Sequence, residues 1–567
     1  MLRPDRLLAV LLAGASLSAC AATSAITPAE IEAATARPGQ AYGDYLSGHA
    51  ALAKGERGEA ARYYARAVTA LPEDGAIRQR AFVTALLSGD VTRAAALAPA
   101  EDGADQRLGR LVRGVEALAA GKGPQAVAEL STDGVGYPHR AAAALVRPFA
   151  QAAAGDLASA TAPVAAGRDR LLPVFGELGR AMLLERAKRH DEAEGAYKAV
   201  LAQSPENDLF LRLYGEFLER RGRRAEAAEQ YRAGLKGETD DVDLARALTR
   251  ATARRASPPP MPDLRQGAAQ GLLASAANLV AEEHEELGLA YLRLTLRLDP
   301  DRDEAWLLVG DLLNEAKDRG GAREAYARVR AGTGDYAAAQ GRLAWSWQQE
   351  GNTAEALRAV DAAVAASPGS ESLQLTRAEI LRASDRMDEA AALLTAAIAK
   401  RTEPDWRLHY LRGTAYERAG RWPEAEADLL KALELRPDEA DILNYLGYAW
   451  ADRGERLDQA FAMIEKAVAL KPQSGAIVDS LGWAHYRLGR HAEAVKHLER
   501  AVELEPADPT INDHLGDAYW RVGRRTEAQF QWRRVLTLEP EAKLQAEAET
   551  KLASGLGAAP VATAAKP

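Results

Sequence analysis

Among side chains that do covalent chemistry the thiol is the readiest nucleophile near neutral pH, and this 567-residue sequence carries a single one, Cys20. A lone thiol has no partner for a disulfide and no companion cysteine for a metal site. The nine histidines are scattered. The nearest set, His485, His491 and His497, is spaced six apart, so the three do not share one face of a helix. No H-E-x-x-H, G-x-S-x-G or G-x-x-x-x-G-K-[ST] segment occurs. Acidic pairs such as Glu282 and Glu283 are what a solvated helix face presents. These residues support no catalytic group, no metal site, no cofactor and no small-molecule substrate. The expected class is a binding protein and not an enzyme, with an enzyme concealed in the less regular N-terminal half as an alternative that turnover by the purified chain would reveal.

Cys20 has another use. Arg3 and Arg6 precede an apolar run from Leu7 to Ala13 and small residues at Gly14 and Ser16, the order of a secretory signal. The small residues around Cys20 also suit an ordinary signal peptidase. Leu17, Ser18, Ala19 and Cys20 resemble the lipobox of bacterial lipoproteins. That resemblance implies a signal peptide at 1–19, cleavage before Cys20, and lipidation of its thiol. Three acyl chains then anchor the protein, each buried CH₂ contributing about 0.8 kcal/mol. Ala21 stands where many inner-membrane lipoproteins of Gram-negative bacteria carry aspartate, which implies an outer-membrane address facing the periplasm. The apolar run is too short to span a bilayer, so the membrane is a partner through lipid alone. Residues 20–40 are small and polar, with Pro28, Pro38 and Gly39, and are expected to form a lipid-attached tether.

Whatever the chain binds must be positioned by helices. Ala, Leu, Glu and Arg dominate, and no sustained alternation of apolar and polar residues asks for strands. A net charge of −9 provides no basic field for nucleic acid. The length exceeds what one core supports. The segments "DSLGWAHYRLGRHAEAVKHLERAVELEP" (479–506) and "DHLGDAYWRVGRRTEAQFQWRRVLTLEP" (513–540) align without a gap, 34 residues apart. Gly482 falls on Gly516, Ala494 on Ala528, Leu498 on Trp532 and Pro506 on Pro540.

This pattern resembles the tetratricopeptide repeat, with small residues at positions 8 and 20, a large one at 24 and proline at 32. Small residues let two helices approach, the large one fills the space beside them, and proline ends the second helix. The same register holds at Gly413, Ala425, Leu429 and Pro437. It holds at Gly310, Ala322 and Tyr326; at Ala344, Ala356 and Pro368; and at Gly215, Ala227 and Tyr231. Further back come Ala181, Ala193, Tyr197 and Pro205, then Gly48, Ala60, Tyr64 and Pro72, with weaker units around Gly114 and Ala378. The unit near Asp441 carries one extra residue in its turn, "ADRGERLDQA". The expected fold is all-α, a superhelical solenoid of tetratricopeptide helix-turn-helix repeats in two arrays, 41–252 and 267–540. A proline-rich junction at 253–266 separates them. A C-terminal extension at 541–567 is expected to end in a largely disordered tail after about Leu552.

Such solenoids bind along the face lined by each repeat's first helix. On the stripe that the resemblance assigns to the groove, the last four repeats place Tyr410, Arg418, Asn444, Tyr448, Asp452, Asp479, Trp483, Tyr486, Arg487, Asp513, Asp517, Trp520 and Arg521, and Trp345 lies on the same stripe further back. Aromatic residues and arginines beside carboxylates suit the capture of proteins or extended peptides. The other reading of Trp483, Tyr486 and Trp520 is packing between repeats. The Lys-x-x-x-Asn pattern of repeats that clamp a C-terminal carboxylate is missing at these positions. The run "LNYLGYAWADRGERLDQAFAMIEKAVALKP" with the two units after it is similar to outer-membrane repeat lipoproteins that act as adaptors for carboxyl-terminal processing proteases. The similarity implies a protease and its substrates as partners in the periplasm. The alternative is a structural scaffold for envelope assembly, serving pilus, polysaccharide-export, outer-membrane protein or cell-wall synthesis machinery.

Overall fold

The computed structural model describes residues 28–99, 104–164, 169–236 and 241–557. Among them are thirty-one α-helices, a π-helical turn at Leu172–Gly176, and no strand. The signal segment and Cys20 lie outside the described residues. The later part of the expected tether is not extended, because a helix, Pro28–Ala53, begins inside it. Its first turns, "PAEIEAATA", are rich in good helix formers behind a proline that suits a helix start.

The repeat pattern acts through one recurring contact. A glycine on the first helix of a pair faces a large side chain on the second: Gly48 against Tyr64, Gly114 against Leu130, Gly413 against Leu429, Gly482 against Leu498, Gly516 against Trp532. At Gly215 and Gly310 an added Cβ would stand 2.3 Å from Tyr231 and Tyr326 respectively. The alanines at position 20, among them Ala60, Ala227, Ala322, Ala425, Ala494 and Ala528, are fully buried beside these contacts. Second helices such as His190–Gln203, Thr353–Ala366, Trp422–Leu435 and His491–Leu504 stop just before Pro205, Pro368, Pro437 and Pro506. The extra residue near Asp441 is absorbed in the turn, where Gly454 and Arg456 both take positive φ. The flanking helices still meet through Gly447 and Ile464.

The chain forms two compact units, the first ending at Ser346 and the second beginning at Trp347. The expected junction at 253–266 lies inside the first unit. Its prolines do follow the end of the Val242–Thr252 helix. The next helix, Leu264–Ala281, opens on a reciprocal cap between Asp263 and Gln266 and joins a core that also holds Phe149, Leu118 and Leu292. Gly267 and Gly271 permit this packing, since a Cβ there would lie 2.3 Å from Phe149 and 2.8 Å from Leu145. Proline ends a helix locally and says nothing about whether the helices on either side share a core. A second core in the same unit gathers Tyr197, Tyr214, Phe217, Tyr231 and Leu244.

From Glu371–Ala383 onward the second unit stacks whole helix pairs. In the C-terminal extension residues 542–554 form a helix, Ala542–Ser554, with Ala548 fully buried, and 558–567 lie outside the described residues.

Candidate protein-binding groove

Four first helices of the second unit, Trp406–Arg418, Ala440–Arg453, Gly475–Arg487 and Pro509–Arg521, carry the residues expected to line the groove. Tyr410 meets Tyr445 edge to face at 5.8 Å, and burial, with Asp441 next, pushes its hydroxyl up to about 12. Arg418 reaches Asp385 at 3.4 Å, with both side chains open to solvent. Asn444 is half-buried, and its Oδ1 has no protein partner. These three belong to the earlier part of the stripe.

The remaining residues are brought into one connected set, and His514 is its hinge. The imidazole stacks on Trp483 at 4.1 Å and 15°, and Trp483 stacks in turn on Tyr486 at 4.7 Å and 7°. His514 Nδ1 lies 3.0 Å from both oxygens of buried Asp479. Burial pulls the His514 pKa down, but Asp479, Asp513 and Asp517 outweigh it, and the net shift is upward. Tyr448 stands 6.5 Å from the same imidazole. Asp452 accepts from Trp483 Nε1 and from Arg487, both at 3.2 Å. Arg521 donates to the Tyr486 hydroxyl at 3.0 Å, tying one repeat to the next. The aromatic residues therefore pack between repeats and line the surface at once, because a ring on a first helix has the next first helix as its neighbour.

Beyond the last repeat the terminal helix, Ala542–Ser554, stands one repeat length after Pro509–Arg521, in the place of a next first helix. Lys551, on the terminal helix, places its ammonium 2.6 Å from Asp513 and 2.9 Å from Asp517. Beyond that helix, Trp520 Nε1 donates to the Leu556 carbonyl at 3.2 Å and Arg521 to the Gly557 carbonyl at 2.6 Å. Burial, then Asp517, pushes the Asp513 carboxyl up to about 6 against the pull of Lys551. Its Oδ1 is buried with no partner among the described residues. Trp532, fully buried, donates to Asp517 at 3.0 Å and holds that carboxylate from below.

Sequence reasoning missed His514 and Lys551. The adjacent Asp513 was a usable signal for the first, since a histidine beside an aspartate on a buried face needs a charge partner. Nothing local marks Lys551, because its partners lie a whole repeat away. His485 and His497 do meet, stacked at 5.1 Å, because antiparallel helices join positions that one helix separates. Among the described residues no group of three or more His, Cys, Asp or Glu is placed to hold a metal ion.

A cleft of about 1070 Å³ lies in the first unit, lined by Tyr137, Asp169, Arg170, Asn278, His284 and Tyr291. Two of its polar groups are engaged locally: Asp169 accepts from the Leu171 and Leu172 amides, and the Tyr291 hydroxyl bonds His139 at 2.8 Å.

Comparison with known families agrees with this helix-pair architecture. A profile described as TPR repeat matches residues 482–523, and one described as tetratricopeptide repeat matches 178–242, 342–405, 375–440 and 410–475. The chain carries tetratricopeptide repeats. No curated protein matches it. Among solved structures, the Cut9–Hcn1 hetero-tetramer of the APC/C aligns over 94% of this chain and 99% of its own, at 16% identity and a TM-score of 0.39. A tetratricopeptide repeat protein from Parabacteroides merdae covers 50% of this chain and 98% of its own, at 13% identity and a TM-score of 0.36. MamA, as the RS-1 ArsTM double mutant, covers 30% and 93%, at 22% identity and a TM-score of 0.26.

Proposed function

We propose that this tetratricopeptide-repeat chain is a non-catalytic adaptor, held at the outer membrane by lipid on Cys20 and facing the periplasm, which binds segments of other proteins and delivers them to a carboxyl-terminal processing protease. The repeats make it a protein-binding scaffold. The observation that carries the groove assignment is the continuous set from Tyr448 through Trp483, His514 and Tyr486 to Arg521, which crosses repeats. The lipobox and the resemblance to protease adaptors supply the address and the partner. Tethering a substrate and a protease on one scaffold raises their effective concentration without any new chemistry.

The test is capture from detergent-extracted envelope, comparing the parent with Trp483→Ala and Arg487→Ala. Truncating a central aromatic in a binding strip costs about 2 kcal/mol, roughly thirtyfold in affinity. A protease and hydrolase substrates captured by the parent and lost from both variants, with helical content unchanged, is the expected outcome. Stoichiometric assembly-machinery subunits would point to the structural scaffold, and unchanged capture by both variants would remove the groove from consideration. Cys20→Ser should abolish palmitate incorporation and release the protein from the outer-membrane fraction. A labelled, membrane-bound variant would overturn the anchor.

A further inference from the structure

We infer that the first unit holds a binding site for a phosphoryl dianion, either free phosphate or the phosphomonoester of a lipid headgroup, in a cleft of about 230 Å³ lined by Arg57 and Arg80 and backed by Arg293. The site lies apart from the groove of the second unit and does not depend on the adaptor reading.

Three stretches far apart in sequence meet at this cleft. Arg57 opens the Arg57–Ala70 helix, Arg80 lies on Gly75–Ser88, and Arg293 lies on Glu285–Leu298. The turn before Arg57 is pressed against a much later one, since a Cβ on Gly55 would stand 3.0 Å from the Lys317 carbonyl oxygen. Arg293 donates through Nε to the carbonyl of Leu87, one of the lining residues, at 2.9 Å. That bond leaves the two terminal nitrogens of its guanidinium, which have no acceptor among the described residues. Burial pulls the Arg293 guanidinium down to about 10; Asp318 opposes the fall and Arg57 adds to it. The two arginines therefore feel one another across the cleft.

Arginines of this unit are commonly paired, as Arg66 is with Asp44, Arg113 with Glu129, Arg220 with Glu185 and Arg297 with Glu116. Arg57, Arg80 and Arg293 form no ion pair among the described residues. Asp318 is committed as the cap of the Arg319–Tyr326 helix, where it accepts from the Gly321 amide at 2.9 Å. Glu286 is the carboxylate on the cleft wall. Three guanidinium groups against one carboxylate leave a surplus of two positive charges, and a phosphate monoester brings nearly two negative ones. Planar guanidinium donors fork onto its oxygens, whereas a single carboxylate would leave part of the surplus unmet. Leu52, Val83 and Leu87 supply apolar wall, which lowers the local dielectric and strengthens the attraction.

The experiment titrates the full chain calorimetrically with inorganic phosphate, and with acetate at matched ionic strength, at pH about 7.5, where phosphate is mostly a dianion. Phosphate should bind at least about tenfold more tightly than acetate. Arg57→Gln and Arg80→Gln should each weaken phosphate by about tenfold or more, since each removes charge-assisted bonds. Neither side chain holds another group, so both variants should keep parental helical content. Arg358→Gln, in the second unit with Glu355 as its own partner, should leave binding unchanged. Glu286→Gln should act in the opposite direction and tighten phosphate by about threefold or more, because it deletes the opposing charge. Vesicles distinguish the two sources, with the Cys20→Ser chain used so that no lipid of its own intervenes. Cosedimentation with phosphatidic acid that free phosphate reverses, and none with phosphatidylcholine, assigns the headgroup; phosphate binding with no cosedimentation assigns the soluble ion. Phosphate binding that survives both arginine variants, acetate binding as tightly as phosphate, or no phosphate binding at about 10 mM would each overturn the inference.

Discussion

At Gly310 the missing Cβ is what lets two helices touch. An alanine there would meet Tyr326 at 2.3 Å, and Tyr326 is fully buried with its hydroxyl bonded to Asp311, so the ring cannot step aside. Gly310→Ala should lower stability by about 1–3 kcal/mol through overpacking. Gly195 also lies inside a helix, but a Cβ added there would meet nothing within 4 Å, so Gly195→Ala should raise stability by about 0.4–1 kcal/mol through the unfolded chain. Urea midpoints of the two variants separate the roles. Two histidines should give opposite pH responses. His139 is buried against Tyr291, and burial, then Arg107, lowers its pKa to about 4. It contributes stability above its ordinary value of about 6.5, which is lost as pH falls towards 4. His514 is shifted upward beside Asp479, Asp513 and Asp517, so its contribution is full below about 6.5 and is lost as pH rises through the raised value. Thermal melts across pH should show His139→Gln flattening the acid side and His514→Gln flattening the alkaline side. Unchanged profiles would contradict both assignments.

A helix pair depends on small residues wherever its two axes come closest. Ala494 is fully buried on His491–Leu504 where that helix meets Gly475–Arg487 through Gly482 and Leu498. Ala494→Leu should cost about 1–3 kcal/mol by forcing the pair apart. Because each pair depends on its neighbours alone, hydrogen exchange should rise around 475–535 and stay at parental rates in the first unit. A variant with parental exchange throughout would mean that the pair can repack. The same closeness explains why one extra residue in the turn at 454–456 is tolerated: it lies outside the contact, where two positive φ angles turn the chain back.

The division at Ser346 and Trp347 decides which pieces stand alone. A fragment from residue 347 loses most of Tyr336–Gln348, the first helix of the pair that Thr353–Ala366 completes, but keeps whole every pair from Glu371–Ala383 onward and should unfold cooperatively with high helical content. A fragment from residue 267 instead cuts into Leu264–Ala281 and separates it from Arg140–Ala153. It leaves Ala268, Ala269, Leu272 and Leu273 without the core that buries them, so it should associate or lose helix. Circular dichroism and sedimentation distinguish the two. A monomeric, fully helical 267 fragment would return the boundary to the proline-rich segment.

Most of the helix pairing was legible in the residues themselves. A glycine, an alanine twelve positions on and a large residue four beyond that describe one contact completely, as at Gly310, Ala322 and Tyr326, and even the weaker unit at Gly114 keeps it through Ala126 and Leu130. That equivalent positions of neighbouring first helices come side by side was legible for the same reason, since helical periodicity assigns faces. The tertiary structure decided what depends on residues far apart in sequence. Gly267 and Gly271 carry Leu264–Ala281 across a run of prolines into the first unit's core, because close approach to Phe149 and Leu145 is a property of two helices and not of one. Lys551 closes the last repeat for the same reason: an exposed-looking lysine on a polar helix becomes buried only when Asp513 and Asp517 come to meet it.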